Sequence, residues 1–153
     1  MKRSDLRNRR AIVLLSILTG LMIAFIWGNS CLSREASGAQ SGRLTAFLMG
    51  ILDPNGRIPE ESFHHFVRKM AHFTEFGLLG TLVGSLVRRI GLLTGRKLRS
   101  LPVLLVLLVA VTDEYIQYFT GRGSMVTDVV LDFSGALFGL GLVALVSVLR
   151  KKK

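Results

Sequence analysis

Lys69, His72 and Glu75 recur at three-residue spacing in "RKMAHFTEFGLLG", at the head of an apolar stretch that runs on to Val87. A charged side chain at bilayer depth is costly and usually marks a pathway, a paired site or a bound ligand. The same pattern recurs in "TDEYIQ", with Asp113, Glu114 and Gln117, and in "TDVVLD", with Asp128 and Asp132; Arg122 lies between them. Glu75, Asp113, Glu114, Asp128 and Asp132 make five carboxylates against Lys69, Arg122 and the imidazole of His72. Five carboxylates held together cannot all stay ionised without cations, because like charges disfavour one another's ionised form. Protonation, pairing with bases, or a metal ion would each relieve the excess.

These residue types suit acid–base chemistry on an anionic substrate. His72 or Glu75 would serve as general acid or base, with Asp113 and Glu114 as metal ligands or titration partners. Lys69 and Arg122 would clamp a phosphate or carboxylate. Gln117, Asp128 and Asp132 complete the substrate-contacting set, Gln117 as an orienting amide. Oxygen-rich ligands would favour Mg²⁺, Mn²⁺ or Ca²⁺, whereas a set including His72 would admit Zn²⁺. No spacing is a specific metal motif, so a divalent ion and its identity both stay open.

What must position these groups is a set of membrane helices. Half of the 153 residues are hydrophobic and mean hydropathy is +0.47. The apolar residues fall in runs at 11–27, 70–87, 101–119 and 129–149, the first free of charge and the last carrying only Asp132. Runs of about 17 to 21 residues span a hydrocarbon core as helices. A soluble bundle would need polar helical faces that these runs lack. The expectation is an all-α, polytopic membrane protein, a four-helix bundle forming one domain over 1–153, with spans about 11–27, 63–87, 101–119 and 129–149.

The net charge of +10 reports orientation. With a cytoplasmic N-terminus and four crossings, 14 of the 20 basic residues fall on the cytoplasmic side, with Asp5 as the only acid there. The positive-inside rule then places both termini in the cytoplasm. The basic ends would attract anionic lipid headgroups. No basic surface is interleaved with base-stacking aromatics, which argues against a nucleic-acid partner. The single cysteine, Cys31, excludes an intrachain disulfide framework. "WGNSC" makes a poor lipoprotein cleavage site, because Gly28 stands where an aliphatic residue is expected, so the first run is read as a retained helix.

Between the first two runs, the small polar "SREASGAQSG" reads as a loop. Leu44, Phe47, Leu48 and Ile51 then follow i, i+3, i+4, i+7 spacing, a short amphipathic helix that either covers the bundle at the outer interface or packs on a neighbour. "DPNG" at 53–56 reads as a turn, and Pro59, Glu60 and Glu61 as a helix start. "RRIGLLTGRKLRS" is a basic cytoplasmic connection. "TGRGSMVT" is a tight outer turn that makes the last two spans antiparallel neighbours.

At ~1.5 Å of rise per residue, His72 and Glu75 lie roughly 5 and 9 Å below Lys69. Gln117, Glu114 and Asp113 lie about 3 to 9 Å below Phe119, and Asp132 roughly 6 Å below Asp128. All are therefore in the outer leaflet. On a helical wheel, Lys69, His72 and Glu75 fall within about 120°, and Asp128 and Asp132 within about 40°. Gly80 and Gly84 form GxxxG near the Lys69 face, as do Gly135 and Gly139 on the Asp128–Asp132 stripe. Small residues let helix backbones approach, so these faces should point into the bundle and the polar groups should meet in an outward-opening pocket.

"KMAHFTEFGLLG" followed by "DEYIQYFTGRGSMVTDVVLDFSGALFG" resembles the VanZ-like family of small bacterial membrane proteins. The resemblance covers nearly the whole chain, with its strongest motifs in the last three spans. Members commonly have asparagine where this chain has Asp132, which adds a potential charge. The resemblance implies a bacterial inner-membrane location and, for the founding member, low-level resistance to glycopeptide antibiotics such as teicoplanin. It implies no one reaction.

Three functional readings follow. The protein is an enzyme acting at the outer face on a lipid-linked or cell-envelope substrate, or a non-catalytic accessory protein that binds an envelope component, a glycopeptide or another membrane protein. A proton-coupled transporter is disfavoured, because no ionisable residue lines the inner half of any span. Against all three stands a purely structural polar network tying the spans together.

Overall fold

The long apolar runs leave the backbone no alternative to intrahelical hydrogen bonding in lipid, and helices are what form. The computed structural model describes residues 3–53 and 57–150, and its elements are α1 (Arg3–Ser30), α2 (Arg34–Leu52), α3 (Glu60–Thr94), α4 (Leu101–Phe119) and α5 (Val126–Leu149). Among the described residues there is no strand. Four helices, all but α2, are long and apolar enough to cross a membrane. α4, with 19 residues, spans about 28 Å. α3 has 35 residues and outreaches a hydrocarbon core of ~30 Å, so part of it projects from the bilayer. Its start follows the expected logic, with Pro59 as N-cap and Glu60 and Glu61 in the first turn.

One expectation fails. "SREASGAQSG" is not a loop, because α2 begins at Arg34 and already includes most of it. Ser33 caps the helix, its side chain accepting from the Ala36 N–H, and Glu35 sits in the first turn. Ser41 holds the polar half in place, with Oγ 2.7 Å from His64 Nε2 on α3. Leu44, Leu48 and Leu52 line an apolar groove of about 410 Å³ against α3, but only Leu48 is half-buried, and Leu44 and Leu52 stay exposed as Phe47 and Ile51 do. Of the "DPNG" segment, residues 54–56 lie outside the described residues. Asp53 accepts from the Ile58 N–H at 2.6 Å, tying the two sides of the segment together.

α3 and α5 form the closest helix pair. A Cβ added at Gly80 would strike the Ala136 carbonyl, one at Gly135 the Phe73 carbonyl, and one at Gly139 the Gly77 carbonyl. From Phe73 against Gly135 to Gly84 against Val143 the contacts advance along both helices, so α3 and α5 run parallel. Both GxxxG motifs are used: Gly80, Gly135 and Gly139 seat the opposite backbone, and Gly84 seats the Leu140 and Val143 side chains. α4 packs on both helices and leads into α5 through a turn in which Gly121 and Gly123 take φ +69° and +77°, a region glycine adopts without strain. α1 packs on α3 and α4. The core of Ile26, Phe76, Leu79, Val83, Val106 and Ala110 fills the centre, while Leu14, Leu21, Leu108 and Phe138 stay more than half exposed, as lipid-facing residues do.

Candidate functional site

Because α3 and α5 are parallel and in contact, equivalent depths on the two helices meet side by side. Lys69 Nζ lies 3.5 Å from Asp128 Oδ1, and one turn deeper His72 Nδ1 lies 3.4 Å from Asp132 Oδ1. The upper pair is a partly exposed rim, whereas Asp132 is wholly buried. Neither oxygen of Asp132 has a hydrogen-bond partner. The His72 contact is thus a proximity of charge rather than a formed hydrogen bond.

α4 supplies the third wall. Asp113 is fully buried and accepts twice, from Ser30 Oγ at 2.7 Å and from Gln117 Nε2 at 2.8 Å. Glu114 and Gln117 are buried beside it, and Glu114 Oε2 accepts from the Met125 N–H at 3.2 Å, fastening the start of α5. Arg122, in the turn above, is buried and donates through Nη1 to the Asn29 carbonyl at 2.8 Å. Burial pushes the Arg122 guanidinium down from its ordinary value and neighbouring Arg68 adds to this, while Asp113, Glu114 and Glu75 oppose it.

These groups surround a cavity of about 70 Å³ at the bundle end where α3 and α5 begin. Lys69, His72, Glu114, Gln117, Arg122 and Asp132 line it, and Asp128 stands at its rim. Two of the expected site residues do not line it. Asp113 lies beneath, in hydrogen-bond contact with Gln117. Glu75 turns towards the α2–α3 groove, and joins the cluster only through electrostatic coupling to His72, Asp113, Asp132 and Arg122.

Three contributors escaped the sequence reading. Arg68 and His65 line the cavity, and Ser30 orients Asp113. His65, Lys69 and His72 stand at i, i+4 and i+7, one helical face, so the wheel that grouped Lys69 with His72 would also have found His65. The signal for Ser30 was weaker: a buried hydroxyl ending a charge-free span, in "WGNS".

A family model described as VanZ/LLP1 matches residues 11–147. The chain belongs to the VanZ-like family. No curated protein and no solved structure shows a significant match to it. The matched segment runs from the start of the first apolar run to near the end of α5, and so includes every helix that contributes to the cavity. Family membership and four apolar helices together make this a multi-pass membrane protein.

Proposed function

We propose that this VanZ-like protein binds, and acts on, the anionic headgroup of a lipid-linked cell-envelope component at the outer face of the cytoplasmic membrane. The observation that carries the reading is the convergence of Arg68, Lys69 and Arg122 with two histidines around one small cavity at a single end of the bundle. Guanidinium and ammonium groups at such a mouth match phosphate or carboxylate oxygens. The positive-inside rule puts that end outside and both termini in the cytoplasm.

Size narrows the ligand. A cavity of about 70 Å³ holds a phosphate-sized group, and falls well short of the ~300–1,000 Å³ of sites that enclose drug-sized molecules. A whole glycopeptide does not fit it. A link to glycopeptide resistance would therefore act through an envelope precursor rather than through the drug held in this cavity. His72, Glu114 and Asp132 line the same space and supply the proton-transfer groups that a reaction on that headgroup would need.

The test is native mass spectrometry of the protein in detergent micelles with a polyprenyl phosphate and the matching uncharged polyprenol. Wild-type protein should retain the phosphate form, and Lys69→Gln and Arg122→Gln should each weaken retention several-fold. Equal retention of the uncharged polyprenol would remove the basis of the reading.

A further inference from the structure

We propose that His72, Asp113 and Asp132 form a binding site for one divalent transition ion of the zinc or manganese kind. Each offers one donor atom, and the three donors lie within 4.8 Å of one another. They come from α3, α4 and α5, three helices that have no local reason to converge donors at one point. Two ligands of one tetrahedral ion, each at ~2.0–2.2 Å, stand about 3.3–3.6 Å apart, so side-chain rotation that draws the widest pair together by roughly 1–1.5 Å would close the set.

Asp132 carries the argument. It is 0% exposed, and both carboxylate oxygens lack a hydrogen-bond partner. Buried carboxylates without partners are strongly disfavoured, and those that persist are paired or coordinate metals. The nearest cationic candidate, His72, approaches at 3.4 Å without forming a hydrogen bond. Asp113 differs in an informative way. Ser30 and Gln117 each donate to it, one per oxygen, and so fix the carboxylate while leaving it lone pairs to give. Outer partners of that type commonly orient metal ligands.

Charge and donor type select the ion. Two carboxylates and a neutral imidazole neutralise a divalent cation. One nitrogen with two oxygens suits Zn²⁺ or Mn²⁺, whereas Mg²⁺ and Ca²⁺ favour all-oxygen surroundings. Three protein donors leave room for a further ligand, and His72 and Asp132 line the cavity from which it would enter. The inference rests on the donors alone and stands whether or not a lipid phosphate enters from above.

The experiment uses the full untagged chain in detergent micelles, stripped with EDTA and titrated with MnCl₂, with free Mn²⁺ read by electron paramagnetic resonance and Zn²⁺ added as competitor. Wild-type protein should bind one Mn²⁺ per chain, displaced by Zn²⁺. Asp132→Asn and His72→Gln should each weaken binding more than tenfold, while Lys97→Gln, exposed at the opposite end of the bundle, should leave it unchanged. The inference is overturned if the wild type takes up neither ion, or if both ligand variants bind as the wild type does. Should one ligand variant fail to purify as a monodisperse species, the other serves the same comparison. A chain that binds Mn²⁺ but not polyprenyl phosphate would retain the metal site and lose only the ligand proposed above.

Discussion

Replacing Gly139 by alanine tests whether backbone contact between α3 and α5 is what builds the site. The added Cβ would meet the Gly77 carbonyl head on, 2.8 Å from Thr81 N and 3.0 Å from the Gly77 carbonyl carbon. These are backbone atoms of a helix and cannot rotate away. The helices must part until the contact reaches an ordinary 3.4 Å or more. Overpacking of this kind costs about 1–3 kcal/mol. Gly141, two residues on, supplies the control, since a Cβ there meets nothing within 4 Å. Both substitutions gain the same intrinsic helix preference of up to about 1 kcal/mol. Gly141→Ala should therefore be neutral or stabilising, and Gly139→Ala should fall below it by about 1–3 kcal/mol. Reversible unfolding of the purified variants in mixed detergent–SDS micelles measures the difference. Equal stability of the two would refute the close approach, and with it the geometry that sets His72 beside Asp132.

Other outcomes follow from the same coordinates. Ser30→Ala removes the hydroxyl that donates to Asp113 and should lower stability by about 1 kcal/mol in the same unfolding assay. Cys31 is the chain's single cysteine and is exposed, so a membrane-impermeant maleimide should label it on intact cells; labelling only after lysis would reverse the proposed orientation. Glu114→Gln keeps the shape of a cavity-lining acid but not its charge. It should abolish turnover of a lipid-linked substrate in an enzyme while sparing binding; unchanged turnover would favour the accessory-protein reading. Glu75→Gln, facing the groove, should disturb headgroup retention less than Arg122→Gln does when both are compared by native mass spectrometry.

Much of this arrangement is legible in the sequence because membrane helices obey few rules. Length and hydropathy give four spans, and helical wheels put Lys69 with His72 and Asp128 with Asp132. The two GxxxG motifs identify the faces that meet. With α3 and α5 parallel, equal depth then means contact, and the 3.5 Å and 3.4 Å pairs follow. The rest depended on facts a wheel does not hold. Glu75 lies 120° round from Lys69, far enough for α2 to claim its surroundings, and sequence alone did not say where α2 would dock. The polar first half of α2 looked like a loop because its small residues bring little apolar burial. It forms through a capped N-terminus and the Ser41–His64 contact, the second being a tertiary interaction. Ser30 was missed because a serine at the end of a span is ordinary until Asp113 is known to face it.

The claim beneath all of this is that charged groups from separate spans occupy one site at one depth. Its most direct test is thiol cross-linking in native membranes with a short bifunctional methanethiosulfonate, with Lys69→Cys and Asp128→Cys introduced together into a Cys31→Ser background. The account expects rapid intramolecular cross-linking by that reagent, which replaces the reach of the lysine side chain that meets Asp128, and none when Lys69→Cys is instead paired with Ser147→Cys near the far end of α5. Failure of the first pair to cross-link, with protein abundance unchanged, would contradict it.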